Sequence, residues 1–251
     1  MSGHSHWATI RRKKGAADAK RGQVFTRLAR EIVIAAREGG GDPDTNFRLQ
    51  LAVDRARASN MPKDNIERAI KRGTGESKEG NVIEEVMYEG YAPHGIALMM
   101  SVVTDNRNRS VAEIRHVLNR YGGNMAEAGS VAWQFKRIAY FGFDQGKHNQ
   151  DSIFEQAVEA GAEDVIFEND WVEIIGPVES FKSISDALKG LKILPEEAEL
   201  RMSPTNETEL EDDETVQVLK MVEALEELDD VQSVYSNLSI SDSVMAQLEA
   251  A

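Results

Sequence analysis

The chain has 251 residues, 41% of them apolar and 29% charged, which suffices for a sizeable core in one to three soluble domains. It has no cysteine, so disulfides and thiolate metal sites are excluded, and no apolar run approaches the roughly 18 residues of a membrane span. The formal net charge is −14, yet it is segregated: residues 1–75 hold 16 Lys and Arg against 8 Asp and Glu, and residues 76–251 hold 13 against 35.

The first 17 residues have no clean apolar period and read as an extended or disordered arm. From Asp18 to Glu38 the pattern turns helical, with Val24, Phe25, Leu28, Ala29, Ile32, Val33 and Ala36 on one stripe. Gly39-Gly40-Gly41 ends that helix. Asp42-Pro43 predicts the next, as an acidic cap followed by proline at the first helical position, and it runs to about Ser59. A third helix begins near Asn60-Met61-Pro62 and closes at Lys71-Arg72-Gly73, where cations suit the helix dipole. Residues 18–73 therefore predict a three-helix unit with short turns. The polar stretch 74–81 reads as a linker.

Strands are then predicted at 86–91 and 96–103, joined by the turn Ala92-Pro93-His94-Gly95. The capping box Ser110–Glu113 starts a helix that reaches Tyr121, and a strand follows at about 130–135. Residues 137–203 spell β-α-β-β-α-β: a strand at 138–143, a helix from the box Ser152–Glu155 to Ala160, strands at 164–167 and 171–175 around the turn Asn169-Asp170, a helix at about 178–191, and a strand at 198–202. That order is ferredoxin-like. After the acidic linker 204–214 come a helix at 214–228 and a strand at 231–235. Those last two elements lack partners of their own, and 85–135 is short of one helix and one strand. The expectation is an α+β protein: residues 1–75 form a basic arm and three-helix domain, 82–135 plus 205–240 a discontinuous α/β middle domain, and 136–204 an inserted ferredoxin-like domain.

Six cations lie between positions 11 and 21 (Arg11, Arg12, Lys13, Lys14, Lys20, Arg21) against the single acid Asp18. Such a segment neutralises phosphates and releases their counterions. Arg27, Arg30 and Arg37 continue the basic face on a helix with few acids. Trp7 can stack on an unpaired base or pack on the three-helix unit. The predicted nucleic-acid contacts are Trp7, Arg11, Arg12, Lys13, Lys14, Lys20, Arg21, Arg27 and Arg30. The loop Thr104–Ser110 is a second candidate. Its Asn and Asp suit a turn, whereas Arg107 and Arg109, with Asn106, can bind an anion such as phosphate or pair with a carboxylate of the neighbouring domain. His4 and His6 lack further ligands at useful spacing, so no metal site is predicted. Neither glycine run has a nucleotide-loop context, and no catalytic triad or carboxylate pair stands out, so neither an enzyme nor a cofactor is expected. Use of a cavity between domains for a small anionic ligand, gripped by Arg107 and Arg109, is the rival reading. Between Pro195 and Asp230 stand 14 acids, a surface that repels nucleic acid or docks the basic arm.

The stretches GHSHWATIRRKKGAADAKRGQVFTRLAREI, GGGDPDTNFRLQLAVDRARASNMPKDNIERAIKRG, YEGYAPHGIALMMSVVTDNRNRSVAEIRH and GGNMAEAGSVAWQF together resemble the YebC/PmpR family over nearly the whole chain. The resemblance implies three domains around a central cavity, a helical one and two α/β ones. It implies a cytoplasmic regulator of gene expression that binds nucleic acid. Members are known as probable DNA-binding transcriptional regulators, while mitochondrial relatives are translational activators of cytochrome c oxidase. Bacterial relatives are tied to ribosomes and to translation through proline-rich stretches. Partners are thus expected to be DNA, or ribosomal RNA and the ribosome, for a monomer without a membrane anchor.

Overall fold

The computed structural model describes residues 18–77, 83–168 and 170–250. The arm readings at Trp7 and Arg11–Lys14, and residues 78–81 of the linker, lie outside them. The chain divides into two compact units, one formed by residues 135–203 and the other by the chain on both sides of it.

The larger unit begins with three helices: α1 (Asp18–Gly39), α2 (Phe47–Ala58) and α3 (Lys63–Gly73). The middle of α1 is buried on every side, from Ile32 through Ala36, because α2 and α3 both pack on it. The α1–α3 approach is close enough that a Cβ on Gly73 would sit 2.5 Å from the Val33 carbonyl oxygen. The α1–α2 corner turns on Asn46, not on the predicted Asp42-Pro43 cap. Residues 42–45 form a turn, and the Asn46 side-chain oxygen accepts from the Leu49 N–H at 3.1 Å. Its amide nitrogen donates to the Ala35 and Gly40 carbonyls, both at 2.7 Å. A carboxylate can cap the start of a helix, but only an amide also donates to the orphan carbonyls ending the previous one. Gly40 takes φ +87, the left-handed conformation of a helix stop.

The same unit continues with β1 (Glu84–Tyr91), β2 (Ala97–Thr104), α4 (Arg107–Arg120) and β3 (Asn124–Ala126). It resumes beyond residue 203 with β8 (Thr208–Glu209), α7 (Asp212–Glu226), β9 (Val231–Ser236), β10 (Leu238–Ser239) and α8 (Asp242–Ala250). The antiparallel sheet has the order β3-β1-β2-β9, and β8 and β10 form a separate parallel pair. Strand β2 is buried at all eight positions. Leu98, Met100 and Val102 join Ile114, Leu118, Val218, Val222 and others in one core, whereas Val103 and Ile83 join the core of the three helices.

Two differences from the sequence expectation have local causes. Helix α4 starts at Arg107 rather than Ser110, because Asn106 supplies the cap by accepting from the Arg109 N–H at 3.1 Å. The strand expected at 130–135 is a loop ending in a short 3-10 turn, and the next strand, β4 (Phe135–Asp144), starts only at Phe135. The Glu89 carboxylate captures the N–H groups of Gly129, Val131 and Ala132 at 2.7–2.9 Å, so those amides curl around it instead of pairing in a sheet.

The second unit contains β4 (Phe135–Asp144), α5 (Gln150–Glu159), β5 (Asp164–Glu168), β6 (Trp171–Pro177), α6 (Phe181–Gly190) and β7 (Glu197–Pro204). The sheet order is β5-β6-β4-β7, and both β4 and β5 run antiparallel to β6. Counted within the unit, this is strand order 2-3-1-4, the ferredoxin-like arrangement. Helix α5 starts at the Asn149 cap, three residues before the predicted Ser152. Its core holds Tyr140, Phe141, Phe143, Ile174, Phe181 and Ile184, with the Phe141 and Phe181 rings 4.5 Å apart.

Asn46→Ala removes the partner of the Leu49 N–H and of the Ala35 and Gly40 carbonyls at this corner. It is expected to destabilise the protein by about 1–3 kcal/mol. Asn46→Asp, which keeps the cap but loses both donated bonds, should recover only part of this, as read by paired thermal melts.

Candidate functional site

The site is built around Asp230, at the corner between α7 and β9. Its side chain is 3% exposed, in a segment where its neighbours are acidic. Burying a carboxylate is costly unless charges and donors surround it, and here they come from three places. Ser110 Oγ donates at 2.6 Å and Thr104 Oγ1 at 3.0 Å. Arg109 Nη2 donates to both oxygens, at 2.8 and 3.1 Å. From α1, Arg30 Nη1 approaches to 2.8 Å. The Asp230 backbone carbonyl takes the Val103 N–H at 2.8 Å, where the β2–β9 register shifts. Burial alone pushes the Asp230 carboxyl upward. The hydrogen bonds from Ser110, Arg109 and Thr104 and the charge of Arg30 outweigh it and hold the group below the usual range.

This corner collects much of the basic face of α1. Arg30 also donates to the Asp229 carbonyl at 2.5 Å, and Arg27 donates to the Leu228 carbonyl at 3.3 Å. Further along, Arg37 donates to the Ile83 carbonyl. Arg48 of α2 bridges Glu38 at 2.6 Å and Glu85 at 2.7 Å, tying α1, α2 and β1 together. Among the predicted contacts, then, Arg27 and Arg30 are turned to the protein's own acidic corner. Lys20 and Arg21 lie on the first turn of α1, and Trp7 and Arg11–Lys14 precede the described residues.

The loop 104–110 resolves in the same way. Asn106 caps α4, Arg109 divides between Asp105 and Asp230, and Arg107 pairs in two-pronged fashion with Glu84, Nη2 to Oε2 at 2.6 Å. That pairing holds the exposed Glu84 carboxyl below its ordinary value. The loop's arginines thus pair with carboxylates, but with Glu84, Asp105 and Asp230 of their own unit and not with one of a neighbouring domain.

A cleft of about 410 Å³ opens beside the corner. One wall is α1, with Phe25 and Arg30; the other is α3, with Arg68 and Arg72; Met61 and Ile83 contribute apolar surface. Elsewhere, the loop bound by Glu89 displays Trp133 at 73% exposure. Its indole N–H donates to the Ser130 carbonyl at 3.0 Å. Burial pushes the Glu89 carboxyl up, but the backbone N–H groups of Gly129, Val131 and Ala132 hold it below its usual value. Asp230, Glu89 and Asn46 are organising residues that the sequence reading does not single out. Among the described residues no cluster of three or more potential metal ligands occurs, and no helix is long and apolar enough to cross a membrane.

Two family profiles match in tandem. The TACO1/YebC protein N-terminal domain covers residues 5–76, and the TACO1/YebC second and third domain covers residues 83–238. The chain belongs to the TACO1/YebC family. It is 52% identical over 250 residues to a protein of Acidithiobacillus ferrooxidans, spanning 100% of this chain and 99% of that one. It is 49% identical over 248 residues to one of Trichlorobacter lovleyi, spanning 99% of this chain and 100% of that one. Both are named probable transcriptional regulatory protein. A crystal structure of a conserved hypothetical protein from Aquifex aeolicus superposes with a TM-score of 0.82 at 41% identity, over 90% of this chain and 93% of that one. In this YebC-family chain the boundary between the two profiles falls beside Ile83, where Arg37 and the α1–α3 core meet the start of β1.

Asp230 fixes the sign of the acid response. Its folded-state pKa lies below the unfolded value of about 3.9, so its contribution is complete above that pH and is lost as pH falls below it. Asp230→Asn is therefore expected to cost about 3 kcal/mol at pH 7. The gap from wild type should narrow steadily below about pH 4, as followed by urea melts across pH.

Proposed function

We propose that the protein is a non-enzymatic, nucleic-acid-binding regulator of gene expression that acts on DNA in the cytoplasm, as a monomer and without a cofactor. The observation that carries this reading is the charge segregation: net +8 over residues 1–75 and net −22 over the remainder. Phosphate contacts in this reading fall to Arg11, Arg12, Lys13, Lys14, Lys20 and Arg21, with Trp7 as the stacking ring. Arg27 and Arg30 hold α1 against the Asp230 corner instead. The acidic remainder repels a polyanion and concentrates its approach on the basic end. The names of the curated relatives support the transcriptional version.

A second reading, a translation factor bound to ribosomal RNA, is favoured by one specific observation. The central arginines of α1 are committed to carbonyls and a carboxylate of the same unit, which is not how a helix entering a major groove uses its cations. A basic segment with a tryptophan suits structured RNA without such a helix.

Offering the protein its host's ribosomes and sheared genomic duplex together, at about 0.15 M salt, separates the two readings: preference for the duplex is expected, and preference for ribosomes selects the second. Reversing the charge of Arg11, Arg12, Lys13 and Lys14 should weaken binding to either polymer. On duplex DNA it should flatten the logarithmic salt slope by about 3–4. Unchanged affinity in that variant removes the assignment.

A further inference from the structure

We infer that Trp133 and the carboxylates beside it form a docking surface for a cationic polypeptide, an arginine- or lysine-rich segment of another protein. The inference stands apart from the nucleic-acid reading, because it uses neither the basic segment nor a phosphate.

Two independent features carry it. The first is a ring held outward. A single exposed apolar side chain is ordinary on a protein surface, but Trp133, 73% exposed, is tied down by its own donor and by the chain on both sides of it. Its indole N–H donates to the Ser130 carbonyl at 3.0 Å, and that carbonyl also takes the Tyr91 hydroxyl at 3.4 Å. Before it in the chain, the Gly129, Val131 and Ala132 amides are bound to the buried Glu89 carboxylate at 2.7–2.9 Å. After it, the Gln134 carbonyl accepts from the Thr205 N–H at 2.7 Å and from the Thr205 hydroxyl at 3.0 Å. The loop presents a pre-oriented aromatic face, so little conformational entropy is lost when a partner covers it. Tryptophan is among the residues enriched at binding hot spots and is the strongest aromatic partner for a cation over its face.

The second feature is the sign of the charge beside the ring. The Gln134–Thr205 bonds join the stretch 121–134 to the stretch 204–219, which hold one and six acids respectively and no lysine or arginine. Asp212 is taken by Ser241 and Ser243, and Glu214 by His94. Glu127, Glu207 and Glu209 are exposed and form no ion pair among the described residues. The next cations along the chain, Lys136 and Arg137, belong to the other unit, where Lys136 pairs with Glu163. Carboxylates around an aromatic face attract a guanidinium or ammonium group, which gains a cation–π contact and ion pairs together. A nucleic-acid base, the other ligand that stacks on tryptophan, would bring its phosphate into the same negative field.

The full-length protein is titrated with fluorescein-labelled peptides of equal length in which arginine, lysine or glutamate alternates with serine, using wild type, Trp133→Leu, Trp133→Phe and Glu207→Gln/Glu209→Gln. The arginine and lysine peptides should bind and the glutamate peptide should not. Trp133→Leu keeps apolar bulk and removes the ring face, so it should weaken the arginine peptide about fivefold with the salt dependence unchanged, and Trp133→Phe should restore part of the loss. The double carboxylate variant should weaken the same peptide about threefold and flatten its salt dependence. All these positions are exposed, so the variants should melt with wild type, whereas a ring that only closed its own turn would change the melt and leave the peptide affinity alone. In a Trp7→Phe/Trp171→Phe protein, whose only tryptophan is Trp133, acrylamide should quench the emission efficiently and the arginine peptide should protect it.

Absence of binding of the arginine and lysine peptides by wild type overturns the surface, as does full affinity for them in both Trp133→Leu and the carboxylate variant. Equal binding of the glutamate peptide does the same, because charge then plays no part. If Trp133→Leu weakens a dT or U oligomer more than it weakens the arginine peptide, the ring belongs to nucleic acid and the cationic partner is overturned. If peptide affinity rises about tenfold or more when Arg11, Arg12, Lys13 and Lys14 are reversed in charge, the surface belongs to the chain's own basic segment and the separate partner is overturned. None of these results decides the nucleic-acid reading, which the same reversal tests on duplex and ribosome. Should Trp133→Leu melt early, Glu207→Gln/Glu209→Gln carries the test: a loss of about threefold with a flattened salt dependence is expected, and full affinity overturns the surface.

Discussion

The Asp230 carboxylate is a single buried negative charge to which three stretches of chain are fastened. Alone, it would be an expensive defect in the α7–β9 corner. Surrounded by Arg30, Arg109, Ser110 and Thr104, it becomes the point where the helical segment, the end of β2, the start of α4 and the last strand of the sheet share one hydrogen-bond network. A buried charge of this kind is weak evidence of extra stability, because hydrophobic replacements of such networks are often as stable. Its effect is on specificity of arrangement. Each donor must arrive at a set distance, so the network selects one docking of α1 against the sheet from among many apolar ones of similar area.

That use of arginine bears on how charge in a sequence is read. The cations of residues 1–75 look like one basic surface when counted along the chain. In space they divide. Arg27, Arg30, Arg37 and Arg48 meet carbonyls and carboxylates of their own unit, whereas Arg68 faces an open cleft. The division follows from geometry: the inward arginines lie where α1 and α2 approach β1 and the α7–β9 corner, and Arg68 lies on the far wall. A net charge of +8 is therefore an upper bound on what a polyanion can use.

The α+β class, the three helices and the β-α-β-β-α-β run were legible in the sequence, because each rests on local periodicity and short-range capping. The misplaced boundaries were the ones set by partners far away. Asn46 takes the cap from Asp42 because its amide reaches the end of α1, and no local rule weighs that second role. Glu89 turns 129–132 from a strand into a loop through bonds to residues some 40 positions away. Asp230 is one acid among 14 in its region, and its side-chain partners Arg109 and Thr104 lie 121 and 126 positions earlier. The short strands β3, β8 and β10 carry too few residues for a period to show. The resemblance to the family could identify the chain as a whole but could not separate the inward arginines from an exposed one such as Arg68.

The placement of β9 governs the order in which the molecule can be assembled on the ribosome. Strand β2 is made early, but the neighbour on one of its edges is not synthesised until the whole 135–203 unit has emerged. At about 5–20 residues per second, the interval from Thr104 to Val231 lasts on the order of ten seconds. Through that time β2 has an open edge of apolar character, of the kind that recruits stray strands. The Asp230 network also cannot close, so α1 waits with its arginines uncompensated. The 135–203 unit can complete its own sheet in the meantime, because all four of its strands are contiguous in the chain. Vectorial synthesis thus builds the interior segment first and seals the flanking unit last, so a chain truncated before Val231 is expected to depend on chaperones.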